Sequence, residues 1–146
     1  FDHICLALKN TGVIFSGDHV MGWSSTVVIP PMGQMSQFIE SLKKLLHREE
    51  DIYLPGHGMV ITEAKRYVQS QLVHKQNREH EILDCIKSKP STSKELVKLI
   101  YPNINEQLFE AANQNVFAHL LNLVEKKLVS CENKISIKSK FFKFRP

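Results

Sequence analysis

Val13-Ile14-Phe15-Ser16-Gly17-Asp18-His19 and Ile52-Tyr53-Leu54-Pro55-Gly56-His57-Gly58 decide the reading of this chain. Each is a short apolar run that stops at a glycine and is followed at once by a side chain able to bind a metal. Such runs read as buried strands, and in α/β sheets active sites are assembled just past strand ends. A carboxylate such as Asp18 has two oxygens and can bridge two cations, while His57 offers a neutral imidazole nitrogen suited to zinc. The flanking glycines carry no Cβ and let the backbone turn tightly, so the ligand can project into a cleft. Taken singly, each motif equally fits a turn-forming Asp or an exposed loop His. Together, 39 residues apart with a helix between them, they form a less ordinary constellation.

Working outward, His3 to Leu8 alternates imperfectly and stops at Lys9-Asn10-Thr11-Gly12, so with Val13-Ile14-Phe15 it predicts a hairpin of two buried strands. Gly22 to Gly33, with Pro30-Pro31, reads as a loop, and Phe38, Ile39, Leu42, Leu45 and Leu46 give Met35 to His47 an apolar helical face. Strand, helix, strand predicts an α/β half-domain over residues 1–64. From Thr62 the character changes. Glu63 to Ser88 holds almost no breaker, and Tyr67, Leu72, Ile82, Leu83 and Ile86 recur loosely at helical spacing, which predicts a long charged helix with the domain boundary inside it, leading into a second unit, residues 65–146.

Lys89-Pro90 ends that helix, and Thr92-Ser93-Lys94-Glu95 reads as a capping box opening a new one that runs to about Tyr101. Pro102 breaks it, and Asn103 with Glu106 gives a second cap signal. Leu108, Ala112, Val116, Leu120, Val124 and Leu128 then form one apolar face of a third helix. Leu128 to Cys131 and Lys134 to Lys138 alternate as strands about a Glu132-Asn133 turn. Three helices followed by a basic hairpin is the element order of a winged-helix module. Lys127 stands where winged helices often have Gly before the first wing strand.

Composition sets the outer bounds. At 146 residues, 42% hydrophobic and 23% charged, the chain can bury a core without staples, which excludes disorder, collagen and a disulfide miniprotein. No stretch approaches the ~20 apolar residues of a membrane span, and the N-terminus lacks a signal-peptide pattern. Cys5, Cys85 and Cys131 are far apart and odd in number, which argues against a disulfide framework or a zinc ribbon and fits a reducing, cytoplasmic compartment. Residues 1–64 carry 4 Lys/Arg and 7 Asp/Glu, whereas residues 65–146 carry 15 and 8. From Lys126 onward there are seven basic residues against one acid, Glu132, a candidate polyanion-facing surface whose bland reading is a solubilising tail. The chain starts with Phe1 directly in an apolar run, so a fragment of something longer is expected.

Val13 to Asp18 followed by Ile52 to Gly58 resembles the last two metal-binding motifs of the metallo-β-lactamase-fold hydrolases. Phe1-Asp2-His3 looks like the tail of that family's T-P-G-H-T-x-x-H segment. The resemblance extends through Gly17-Asp18-His19-Val20-Met21-Gly22-Trp23-Ser24-Ser25 and His74-Lys75-Gln76-Asn77-Arg78-Glu79 to the subgroup with a C-terminal winged helix, which includes the β-lactamase-like endoribonucleases. It implies an α/β fold: the C-terminal half of an αββα metallo-β-lactamase sandwich followed by a mostly helical winged-helix domain. It also implies two zinc ions in an intact parent, with Asp18 as the bridging ligand, His57 as a terminal one, and a metal-bound hydroxide attacking an ester-like centre. The family's H-x-H-x-D-H motif is absent from this chain, which by itself is expected to be inactive.

Two functions from different classes are open at this level. The first is a binuclear metal hydrolase acting on a phosphodiester, hence single-stranded RNA, with a thioester or other small acyl group as the runner-up. The second is a non-catalytic winged-helix module binding nucleic acid or a partner; the missing N-terminal half of the same fold and a homodimer are the expected protein partners, and no membrane is expected. Lys134, Lys138, Lys140 and Lys143 are the expected nucleic-acid contacts, although Asn113, Gln114 and Asn122 on the recognition helix make poor base readers. His3, His19, His74 and Arg78 are candidates for a supporting or substrate-facing role, each with a plain alternative as a strand-start, loop or solvated helix residue.

Overall fold

In the computed structural model, which describes residues 3–132 and 134–144, nine elements follow in the order β1 (Leu6–Leu8), β2 (Val13–Gly17), α1 (Met35–Leu46), β3 (Ile52–Pro55), α2 (Ala64–Ser88), α3 (Ser93–Ile100), α4 (Glu106–Glu125), β4 (Val129–Cys131) and β5 (Phe141–Lys143). They divide into two compact units. The first comprises the chain up to Thr26 together with Phe38–Lys75, and the second comprises Val27–Gln37 together with the chain from Gln76. The division inside α2 falls between Lys75 and Gln76, later than 64/65, because the first half of that helix packs on the sheet: Ala64, Val68 and Leu72 are buried with Ile14, Leu42 and Tyr53. Within the described residues no helix is long and apolar enough to cross a membrane.

In the first unit the three strands form a sheet of order β1-β2-β3. β1 pairs antiparallel with β2, Leu6 opposite Phe15 and Leu8 opposite Val13. β2 pairs parallel with β3, Val13 opposite Ile52 and Ile14 opposite Tyr53, with an irregularity between Phe15 and Gly17. A strand turns alternate side chains to opposite faces. Ile14 and Tyr53 point into the core, whereas Leu6, Leu8, Phe15 and Ile52 lie on the other face at 61%, 43%, 44% and 39% exposure. The expected hairpin of buried strands is thus a hairpin with one buried face, and β1 has none of its residues buried.

In the second unit Ile82, Ile86, Leu96, Val97, Val116, Phe117, Leu120, Leu123, Val129 and Phe141 make the core. Thr92 caps α3 as its spacing predicts: its hydroxyl accepts from the Glu95 amide while the Glu95 carboxylate accepts from the Thr92 amide. The cap of α4 is Asn105, not Asn103; its side chain accepts from Gln107 N at 2.8 Å. Val116 and Leu120 of the apolar stripe are buried and Ala112 and Val124 pack against the same core, whereas Leu108 in the first turn and Leu128 beyond the helix end are exposed; Asn113 and Asn122 are buried as well, so burial extends beyond that stripe. Each asparagine has a partner that makes burial tolerable: Ser93 Oγ donates to Asn113 Oδ1 (2.7 Å), and Asn122 Nδ2 donates to Glu79. Lys127 takes the left-handed φ of +56° that glycine would otherwise supply. The second wing strand is Phe141–Lys143, paired with β4, and not Lys134 to Lys138, which lies in the connecting loop; Asn133 of the expected turn lies outside the described residues.

Glu79 sits on the buried stripe of α2. Burial alone would raise its carboxyl, but His119, Lys126 and Asn122 together outweigh that and hold it down near about 2, against an ordinary 4.5. The Lys126 ammonium donates to it at 2.7 Å, and His119 Nδ1 stands at 3.9 Å, an ion-pair distance when that ring is protonated. A folded-state value below the unfolded one stabilises the fold above the unfolded pKa and is lost as pH falls through the folded one. Urea midpoints of the parent should therefore drop between pH 4.5 and about 2. Glu79→Gln should lower the midpoint at pH 7 and flatten that acid drop; an unchanged acid limb would show that Glu79 does not carry it.

Candidate metal centre

The ends of β2 and β3 are tied together by their glycines. Gly17 closes β2 at a left-handed φ of +52°, which turns the chain so that Asp18 leaves the strand end. Gly56 N then donates to Gly17 O at 2.9 Å, joining the end of β3 to that turn. A Cβ on Gly56 would come within 2.9 Å of Asp18 Oδ1, so only glycine leaves the carboxylate its place. A second tie follows: Gly22 N donates to His57 O (2.9 Å), and Gly22 and Gly58 form a bridge. Beyond it the chain returns to the sheet edge through the paired bonds of Tyr53 and Ile61, at 2.8 and 3.0 Å.

These ties bring Asp18 and His57 together: Oδ1 and Nδ1 are 2.6 Å apart. The His57 side chain is 65% exposed and that of Asp18 33%, so both are open to a solute. With the ring proton on Nδ1, His57 donates to the carboxylate and its Nε2 keeps a free lone pair, while Asp18 keeps its second oxygen. An imidazole nitrogen and a carboxylate oxygen at one point suit a divalent cation such as zinc. They fit as part of a ligand set, since no group of three or more His, Cys, Asp or Glu that could hold a metal occurs among the described residues.

The other predicted residues take different places. His3 is exposed at the start of the first unit. His19 is only 6% exposed and meets the Phe38 ring edge-on at 5.0 Å, so its side chain is packed within the first unit. Burial, with the His3 charge adding to it, pushes the His19 ring down to about 4, which keeps it neutral at pH 7. His74 is exposed on α2. Arg78 is spent inside the second unit, its guanidinium 4.2 Å from the centre of the Tyr101 ring and paired with Glu81. Lys134, Lys138, Lys140 and Lys143 are all exposed, and the first three line one hollow of about 360 Å³ with Glu132, Ser136 and Ser139.

Sequence reasoning missed Thr26 and Lys75. Thr26 is buried and its hydroxyl donates to the Asp18 carbonyl at 2.6 Å. Lys75 is 1% exposed. The signal for Lys75 was available: Val68, Leu72, Lys75, Glu79, Ile82 and Ile86 follow the three-and-four spacing of a buried helix stripe, with two charges standing in it.

A β2-α1-β3 unit that presents a carboxylate and an imidazole at adjoining strand ends, followed by three helical segments and a two-stranded wing, defines a metallo-β-lactamase-fold chain with a winged-helix region. Comparison with known proteins gives the same class. Residues 92–136 match the family model described as "Beta-lactamase associated winged helix domain". The chain is similar to the "Beta-lactamase-like protein 2 homolog" of Drosophila melanogaster, 33% identical over 125 residues, 84% of this chain and 41% of that protein. It is also similar to an "Atrochrysone carboxyl ACP thioesterase" of Aspergillus fumigatus, 35% identical over 82 residues, 56% of this chain and 25% of the relative. The solved structure of a beta-lactamase domain protein from Burkholderia ambifaria superposes with a TM-score of 0.84 at 21% identity, over 95% of this chain and 43% of that one. This chain therefore has the metallo-β-lactamase fold with a β-lactamase-associated winged helix, and it spans less than half the length of these relatives.

The glycine ties make a testable distinction. A Cβ on Gly22 would lie 1.9 Å from Met59 O, whereas one on Gly12 meets nothing within 4 Å and is opposed only by its φ of +71°. Gly12→Ala should cost about 1–2 kcal/mol. Gly22→Ala, which must part the two loops, should cost about 3 kcal/mol or more. Urea unfolding of the two variants checks the order, and equal losses would contradict the tie.

Proposed function

We propose that this chain is part of a metal-dependent hydrolase in which Asp18 and His57 supply two of the ligands of a binuclear zinc centre. The observation that carries the reading is their convergence to 2.6 Å from motifs 39 residues apart. Bound zinc ions supply a hydroxide at neutral pH and neutralise the charge that develops on the attacked centre. The chain's own residues hold the ligands: the Gly17–Gly56 bond sets the two strand ends, and the Asp18–His57 contact orients both side chains. The remaining ligands are assigned to a preceding half of the fold. The exposed apolar face formed by Leu6, Leu8, Phe15 and Ile52 supports that partner, since paired residues on one sheet face make a patch that soluble proteins rarely leave uncovered.

For the substrate, the lysines of the wing loop favour a phosphodiester, single-stranded RNA, whose condensed counterions are released on binding. The burial of Asn113 and Asn122 removes base readers from α4, which favours backbone contact over sequence readout. A second reading, an acyl thioester, is favoured by the name of the Aspergillus fumigatus relative. A cytoplasmic location and a homodimer served by the winged helix are parts of the same proposal.

Two measurements on an intact parent test the reading. Asp18→Ala should lose bound zinc and turnover together, and full zinc content with full turnover would overturn the ligand assignment. Replacing Lys134, Lys138, Lys140 and Lys143 by Gln should weaken single-stranded RNA binding and flatten its salt dependence by about 0.7 in log–log slope for each phosphate no longer neutralised, with turnover of an uncharged thioester unchanged. Unaltered RNA affinity and slope would decide for the acyl substrate.

A further inference from the structure

We propose that Lys75, acting through Thr26, is a positioning residue for the metal ligand Asp18; the inference rests on the reading of Asp18 as a ligand. An ammonium group is almost never fully buried unless its charge is met. Lys75 is 1% exposed, and among its contacts Nζ donates to Thr26 O at 2.7 Å and lies 5.0 Å from the centre of the Phe38 ring. Thr26 passes the contact on: its hydroxyl donates to Asp18 O at 2.6 Å and lies 3.3 Å from His19 O. The same Phe38 ring meets His19, the residue after Asp18. The cation thus fixes a carbonyl, that residue's hydroxyl fixes the backbone of Asp18, and the ring beneath the cation packs the next residue in the chain.

Position, and not stability, explains a charge at this place. A buried charge is weak evidence for stability, because an apolar side chain of similar size commonly does as well or better there. Leu72 and Val68, one and two turns earlier on the same stripe of α2, are apolar and also buried. What an apolar residue at 75 could not do is hold the Thr26 carbonyl, and with it the strand-end turn that aims the Asp18 carboxylate at His57.

The test compares zinc affinity, by competition with a chelator, with urea unfolding of the metal-free form, in an intact parent. Thr26→Val keeps the shape and removes the hydroxyl; Thr26→Ser keeps the hydroxyl; Lys75→Met keeps the length and removes the charge. Leu42→Val, a core change in the same unit, serves as the purely structural control. Thr26→Val and Lys75→Met should weaken zinc binding by roughly 10–100-fold, the usual loss when a partner behind a ligand is removed. Thr26→Ser should retain the parent's affinity, and Leu42→Val should lose stability without losing zinc affinity. Should Lys75→Met fail to fold, the Thr26 pair decides alone. Parental zinc affinity in Thr26→Val, or an equal loss in Leu42→Val, would overturn the positioning role. If Asp18→Ala binds zinc as the parent does, the ligand reading falls and this inference with it. If Asp18→Ala loses zinc while Thr26→Val does not, the positioning inference alone falls.

Discussion

The hydrogen bond from Gly56 N to Gly17 O is the constraint on which the site depends. β2 and β3 run parallel, so their C-terminal ends lie side by side, and whatever follows each strand is delivered to one place. The bond converts that neighbourhood into a fixed geometry, because it joins the strands at the residues immediately before Asp18 and His57. Glycine is required on both sides for different reasons: Gly17 for a left-handed turn, Gly56 because a Cβ would occupy the space of the Asp18 carboxylate. The second tie, Gly22 to Gly58, stops the two loops from separating again. A carboxylate and an imidazole that are distant in sequence therefore meet while both remain open to a solute.

Much of this was legible in the sequence, for identifiable reasons. Strand ends marked by Ser-Gly-Asp and Pro-Gly-His are punctuated by residues whose backbone preferences are strong, so β2, β3 and the two loops could be placed closely. The Thr92–Glu95 capping box was equally readable, since both partners of a reciprocal bond are visible at fixed spacing. The errors lie where tertiary packing overrides local pattern. Asn105 displaces Asn103 as a cap because Pro102 and the turn that follows it delay the helix start. Asn113 and Asn122 carry no apolar signal, yet each is buried on a partner, Ser93 and Glu79, that lies on another element. The second wing strand shifts to Phe141–Lys143 because Phe141 is the larger apolar residue and fills the core, leaving Ile135 partly exposed.

The two charges in the buried stripe of α2 could not be assigned from periodicity, because their partners are supplied by other segments. Lys75 meets Thr26 and Phe38, and Glu79 meets Asn122 and Lys126. These partners lie in the same compact unit as the charge they meet, and each charge stands in a stripe that is otherwise apolar. In the first unit the sheet has an opposite character on its outer side, where Leu6, Leu8, Phe15 and Ile52 form an apolar surface with no cover among the described residues. A sheet face that holds hydrophobes outside fits the C-terminal half of a two-sheet sandwich, and the proposed metal ligands Asp18 and His57 fit part of a larger set.

The most direct test of that account is an anomalous-scattering map, at the zinc absorption edge, of crystals of an intact parent. The account predicts zinc density bonded to an Asp18 carboxylate oxygen and to a ring nitrogen of His57, with the other ligands drawn from the preceding half of the fold. Zinc bound elsewhere, with Asp18 and His57 still hydrogen-bonded only to each other, would contradict it.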